Sequence, residues 1–324
     1  MGMDVVCVGE CIVDLIPIGE SVYKACFGGA PMNTAIACSR LGLKVGVITC
    51  IGNDQLGDFL LETLKTNMID VSRIRRLNLR TTISIVSKQR RGEVDYIFYR
   101  KPWSLSSDTE YYLSSEDIDY LRGARLLHIS GFAFSQKPAR DEYQKLVREA
   151  KNIGLAISLD PTFRIDVWPN ITEAYEVYSE LFRIADIVLS TYRELRILLG
   201  IDSIRGILDL CSKYGWRILG IKMGAKGSIL YMDGAISSLE SFKIEAVDTV
   251  GAGDAWNAAI IYGIIKGLAI DEVVLLANAV AAMKCMRVGA VEGLPKLEDV
   301  RRFIESSSRP KPLRLEEFDL DLED

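Results

Sequence analysis

A chain of 324 residues with 49% hydrophobic and 26% charged side chains has the composition of a globular protein able to bury a large core. The formal net charge of −5 argues against a general nucleic-acid partner, and no apolar run reaches the ~20 residues of a membrane span. The seven cysteines form no Cys-x-x-Cys pair and stand in apolar contexts, so buried free thiols are expected rather than disulfides or a zinc site.

Met1-Gly2-Met3-Asp4 leads at once into a strand-like run over 5–8, which leaves no room for a signal peptide and points to the cytoplasm. Gly9-Glu10 and a second apolar stretch ending in Val13-Asp14-Leu15-Ile16 follow. Phe27-Gly28-Gly29-Ala30-Pro31-Met32-Asn33 is a glycine turn feeding a helix over 31–41 that stops at Gly42. A strand is predicted over 45–48 and a helix, from its apolar spacing, over 56–66.

Residues 80–100 change rhythm. Thr82-Ile83-Ser84-Ile85-Val86-Ser87, the polar turn Arg90-Arg91-Gly92-Glu93 and Tyr96-Ile97-Phe98-Tyr99 read as a β-hairpin. With the strand-like stretches within 10–30 it is expected to form a small β-sheet lid on a larger α/β body. Beyond it, strands over 126–130, 156–159, 187–189, 218–222 and 228–232 alternate with helices over 139–152, 171–184, 194–199 and 204–214. A β-like run over 243–247 precedes helices over 255–267, 271–288 and 297–306. That alternation predicts a doubly wound, mainly parallel sheet with helices on both faces, in one α/β domain over 1–305. The Ser/Arg/Pro-rich, then acidic, residues 306–324 read as a flexible solvated tail. His128, the single histidine, sits in an apolar strand and reads as a core residue, although a hydrolase with a histidine base would have to use it.

The densest chemical signal is Val247-Asp248-Thr249-Val250-Gly251-Ala252-Gly253-Asp254-Ala255-Trp256. A tight glycine turn opening a helix makes an anion site from converging N–H groups and the helix dipole. Asp254 at its lip is either an ordinary N-cap or a base that takes a proton from an attacking hydroxyl. Asp14 and Asn33, flanking Gly28-Gly29, suit a polyhydroxylated ligand, whose hydroxyls both donate and accept. Lys222-Met223-Gly224-Ala225-Lys226-Gly227 follows a strand with another glycine turn, a plausible wall for a nucleotide.

These motifs together, over 5–306, resemble the ribokinase-like (PfkB) carbohydrate kinases. Gly28 to Asn33 with Gly42 and Gly52 is similar to the family's N-terminal signature, and Asp248 to Trp256 to its C-terminal one. The resemblance implies an ATP-dependent sugar kinase with Asp254 as catalytic base and the N–H groups of Gly251, Ala252 and Gly253 as anion hole. It further implies Asp14, Gly28, Gly29 and Asn33 as sugar site, and Lys222, Gly224, Gly227 and Asn278 on the nucleotide side. Mg2+ would be organised with help from Glu194, and a monovalent cation such as K+ would lie near the Asp248 loop, held partly by backbone carbonyls.

Gly-Gly-Ala-Pro-x-Asn resembles fructokinases, while Phe98-Tyr99-Arg100 and Asp160-Pro161-Thr162-Phe163-Arg164 with Trp168 resemble both fructokinases and 2-keto-3-deoxygluconate kinases. They imply Tyr99, Arg100 and Arg164 at the substrate, the arginines suited to a carboxylate or a phosphate. Against the family's pattern, Thr162 and Thr191 stand where asparagines are usual, and Pro102-Trp103 interrupts the lid. Fructose is the expected acceptor, with 2-keto-3-deoxygluconate next, then ribose or a nucleoside, then a non-catalytic sugar-binding relative. No Gly-x-Gly-x-x-Gly follows the first strand, which disfavours a dinucleotide oxidoreductase. A homodimer paired through the lid is a further expectation.

Overall fold

The computed structural model describes residues 2–88 and 94–313. The expected turn at Arg90-Arg91-Gly92-Glu93 and the acidic stretch from Glu316 lie outside the described residues. Strands run β1 Met3–Val8, β2 Ile12–Gly19, β3 Val22–Gly28, β4 Val45–Gly52, β5 Asp70–Leu77, β6 Ile83–Lys88 and β7 Val94–Tyr99. They continue as β8 Ala124–Ser130, β9 Ala156–Asp160, β10 Ile187–Thr191, β11 Ile218–Lys222, β12 Ser228–Met232 and β13 Ala235–Leu239. The helices are α1 Ala30–Arg40, α2 Gln55–Thr66, α3 Ser115–Leu121, α4 Ala139–Asn152 and α5 Ile171–Ile184. After them come α6 Tyr192–Leu199, α7 Ile204–Tyr214, α8 Ala252–Lys266, α9 Ile270–Cys285 and α10 Leu297–Ser306.

Nine strands form the main sheet in the order β13-β12-β11-β10-β9-β8-β1-β4-β5. From β11 to β5 every pairing is parallel, while β12 and β13 are antiparallel. The strands read as nearly unbroken apolar runs because both faces are covered. Alternate residues divide between two cores: Val6 and Val8 pack with residues of α4, α5, α6 and α7, Val5 and Cys7 with residues of α1, α2, α8 and α9. The expected doubly wound architecture is present. So is the separate small sheet, β3-β2-β6-β7, with β2 and β6 parallel and both outer pairings antiparallel.

The departures have local causes. Residues 243–247 make no strand; the N–H groups of Val247 and Asp248 donate to the Cys285 carbonyl at 2.8 and 3.1 Å, so the segment crosses the end of α9. That helix stops at Cys285 rather than running to 288. The two strands that the apolar pattern misses, β5 and β13, are the two edges of the main sheet. The β5 edge carries charge instead of alternation: Arg73 and Arg75 both pair with the buried Asp117. Part of the stretch expected as a solvated tail is paired with the sheet. Glu240 donates to the Lys311 carbonyl at 2.9 Å and Leu313 to that of Ser238 at 3.3 Å, so residues 311–313 line the free edge of β13. Among the described residues no helix is long and apolar enough to cross a membrane.

Candidate active site

In open α/β sheets, ligands bind beyond the carboxyl ends of the strands, where the order reverses. Here β1 lies between β4 and β8, and a cavity of about 630 Å³ opens there. Its wall takes Glu10 from just beyond β1, Asp160 from the end of β9, Glu194 from the first turn of α6 and Lys222 from the end of β11. The small sheet adds Asp14 of β2 and Tyr96 and Phe98 of β7.

One end of the cavity is made by residues 249–254. Gly251 is the N-cap of α8 with φ 78°, and a Cβ there would lie 2.7 Å from that of Ala290, so backbone and space both require glycine. The helix starts three residues before the predicted 255. Asp254 is therefore inside the first turn and is not the cap; Gly251 is. The first-turn amides and the helix dipole supply positive potential. Ala252 N–H turns back to the Thr249 carbonyl at 3.1 Å and Ala252 is not on the cavity wall, whereas Gly251 and Gly253 are. Lys222 stands over Gly253, its Nζ 2.9 Å from Asp160 Oδ2 and 3.0 Å from Asn257 Oδ1.

Asp254 Oδ2 accepts a 2.8 Å bond from Asn33 Nδ2. Burial, reinforced by the charge of Asp160, pushes its carboxyl up to about 6 against that bond and the Lys222 charge. Asp160 is also buried, but the Lys222 ammonium and the bonds from Lys222 and Asn257 outweigh burial and hold it below the ordinary range. Its other oxygen accepts from Thr162 N and Oγ1 at 2.9 and 3.1 Å. Thr162 has φ 42°, a left-handed conformation that suits asparagine better than a β-branched residue.

Another part of the wall is acidic. Asp14 accepts from Ser84 Oγ across β2 and β6, and burial pushes its carboxyl up to about 7. Glu10 Oε1 accepts from Ala30 N at 3.1 Å and Ser130 Oγ at 3.2 Å, and burial pushes it up to about 8. Gly29 lines the cavity and Gly28 does not. A Cβ at Gly28 would run into the Asp14 carboxylate, and one at Gly29, whose φ is 104°, into the Glu10 carbonyl. These glycines let two acidic segments approach the start of α1.

Several expected residues are elsewhere. Tyr99 is 54% exposed and off the cavity. Alternation along β7 turns Tyr96 and Phe98 inward and Ile97 and Tyr99 outward, so the expectation chose the wrong parity. Arg100 is fully buried: its guanidinium pairs with Asp108 at 2.7 Å, donates to Ser135 Oγ at 2.6 Å and lies 4.3 Å over the Phe132 ring. It anchors the end of β7 to the body and does not reach the cavity. Arg164 does, 5.4 Å over the Tyr96 ring with Nη1 donating to the Phe163 carbonyl at 2.8 Å.

On the nucleotide side only Lys222 is on the cavity wall. Gly224 is exposed and Gly227 packs on Leu239 and Glu240. The Asn278 amide is fully engaged inside the protein. Its oxygen accepts from Ser228 at 2.6 Å and Trp256 at 3.0 Å, and its nitrogen donates to the carbonyls of Leu239 and Glu240 at 3.2 and 3.1 Å. It ties α9 to β12 and the segment after β13.

Glu194 lines the cavity, 8% exposed, with both oxygens occupied: Oε1 accepts from Phe163 N at 2.8 Å, Oε2 from Thr191 N and Oγ1 at 2.9 and 2.7 Å. Thr191, in the position of the family's asparagine, completes a capping box with it. No cluster of three or more acidic, His or Cys side chains suited to a metal occurs among the described residues. A Mg2+ carried by nucleotide phosphates needs only one or two carboxylates and keeps several waters. Glu194 fits such an ion through water.

His128 is buried in the sheet against Ser158 Oγ at 3.0 Å, burial drawing it down to about 4, and it is not on the cavity wall. All seven cysteines are buried and free. The sequence reasoning assigned no role to Glu10, Asp160 or Tyr96. The signal was available for the first two: each is a carboxylate where a buried parallel strand ends.

The fold and this anion-binding turn define a ribokinase-like kinase scaffold. The chain belongs to the pfkB family carbohydrate kinases, whose model matches residues 3–297. The 2-dehydro-3-deoxygluconokinase of Bacillus subtilis (strain 168) is 32% identical over 289 residues, covering 88% of each chain. Fructokinase-1 of Zea mays is 31% identical over 322 residues, covering 94% of this chain and 98% of its own length. A putative ribokinase II from E. coli, solved in complex with ATP and Mg2+, superposes with a TM-score of 0.84 at 26% identity, covering 94% of this chain and 99% of that one. This protein is an ATP-dependent carbohydrate kinase.

Proposed function

We propose that the enzyme phosphorylates a neutral ketose, fructose in the first place, using Asp254 as general base. The observation that carries the reading is the 2.8 Å bond from Asn33 to Asp254: the polyol-binding end and the anion-binding turn meet in one cavity. A small sugar can touch both. Its hydroxyl oxygen attacks the γ-phosphorus of ATP as the proton passes to Asp254, the bond to the bridging oxygen breaks, and ADP leaves. The amides of Gly251 and Gly253, with Lys222, face the charge that develops on the transferred group. Mg2+, when bound with the nucleotide and held through water by Glu194, would neutralise phosphate charge. The small sheet would exclude water from the transfer.

Glu10, Asp14 and Asp254, three of the carboxyls on the cavity wall, can accept from sugar hydroxyls or, when protonated, donate to them, which supports the neutral sugar. A second reading, 2-keto-3-deoxygluconate, is favoured by Arg164, the arginine over Tyr96 on the wall. ADP release measured with fructose, 2-keto-3-deoxygluconate, ribose and adenosine tests the choice, with the highest kcat/KM expected for fructose. A preference for the acid sugar that disappears in Arg164→Met would establish the second reading instead. The exposed Tyr23, Ile97 and Tyr99 of the small sheet support a homodimer through the lid, which light scattering on wild type and Ile97→Lys would test.

A further inference from the structure

Lys284, in the last turn of α9, has no exposed surface and is not on the cavity wall. Its Nζ donates to the main-chain carbonyl of Asp248 at 2.8 Å and lies 4.0 Å from that residue's carboxylate. The same carboxylate accepts from Val250 N at 3.0 Å and from Gly289 N at 2.8 Å. Two further bonds, from Val247 and Asp248 to the Cys285 carbonyl, hold the segment to the helix that carries Lys284. The ammonium thus braces residues 248–250 from behind, immediately before Gly251 and the amides that face the phosphate.

An ion buried without surface is expensive unless a partner holds it. Burial draws the Lys284 ammonium down, and the groups opposing this are the Asp248 carboxylate, the Cys285 thiol, Asp254 across the turn and Glu292. An ammonium bonded to a carbonyl oxygen beside a carboxylate offers that oxygen what a bound potassium ion would. The residues here therefore do not fit a dissociable ion at the Asp248 carbonyl, because a positive charge already fills the place beside it and would repel another. We propose that Lys284 is a tethered monovalent cation that positions the turn before Gly251, so that this kinase requires no potassium ion at its anion site.

The inference rests on the kinase activity but not on the choice of sugar, so its test uses whichever acceptor in the panel turns over fastest. Wild-type kcat is measured in tetramethylammonium buffer and again with KCl at equal ionic strength, and the expected change is less than about twofold. Lys284→Ala is expected to lose about 10²-fold in kcat, the scale for disturbing an anion hole. Added K+ or NH4+, but not tetramethylammonium, should recover part of it. MgATP binding by calorimetry in the same buffers reads the turn without a sugar, so an acceptor-free failure of turnover remains distinguishable: wild-type affinity should ignore K+ and the variant's should acquire a K+ dependence. Stimulation of the wild type by roughly 10-fold or more on adding K+ would overturn the proposal, and so would a Lys284→Ala enzyme at full rate without any added ion. Should that variant not fold, the wild-type cation series alone decides.

Discussion

At the end of the cavity proposed for the phosphate, one stretch of chain supplies Thr249, Val250, Gly251, Gly253 and Asp254, with Lys222 added from β11. At the part of the wall proposed for the sugar, Glu10, Asp14, Asn33, Tyr96 and Arg164 arrive from separate places along the chain. The first end, on the proposed reading, would work through main-chain amides and a helix start, which depend on a backbone turn and little on side-chain identity. The second would work through side chains whose direction depends on strand parity and on how the small sheet meets the body. Chemistry common to many acceptors can therefore be encoded locally, while recognition of one acceptor is a long-range property.

The sharpest break between the two ends is Asp254→Asn. It should lower kcat by roughly 10²–10⁴ with ATP affinity nearly unchanged; normal turnover would remove Asp254 from its role. The same change should raise thermal stability near neutral pH. The Asp254 carboxyl titrates at about 6 in the fold against an ordinary 3.8, so the folded state binds the proton more tightly. That contribution is fully present below the ordinary value and lost as pH rises through about 6. At neutral pH the ionised group opposes folding, and a melting curve of the asparagine variant should show its removal.

Arg100→Met tests whether the end of β7 is structural. Leaving Asp108 buried without its ion partner should cost about 3–5 kcal/mol in urea unfolding. A raised KM for sugar with unchanged stability would instead return Arg100 to the substrate. The pH profile comes next: kcat/KM should fall about tenfold per unit below pH ~6, where Asp254 gains its proton. A profile flat to pH 5 would exclude a base with that titration. The smallest effect is expected from Thr162→Asn, which relieves a left-handed β-branched residue and should add about 1 kcal/mol to stability.

The turn at 248–254, the glycines at 28 and 29, and the alternation of strands and helices were legible from sequence because each is written in neighbouring residues: a period, a glycine, a helix start. Asp14 and Asn33, read as flanking one glycine turn, and Lys222, read as opening another, all stand on the cavity wall. Legibility failed at Tyr99, where a shift of one residue along β7 exchanges inside for outside. It failed also at Arg100 and Asn278, whose partners Asp108, Ser135, Ser228 and Trp256 are set by packing between distant elements. Thus the sequence by itself determined the fold and the family, through local backbone rules and hydrophobic periods. Only the tertiary structure decided which side chains line the cavity and that Lys284 lies against the Asp248 carbonyl, because those depend on groups brought together from far along the chain.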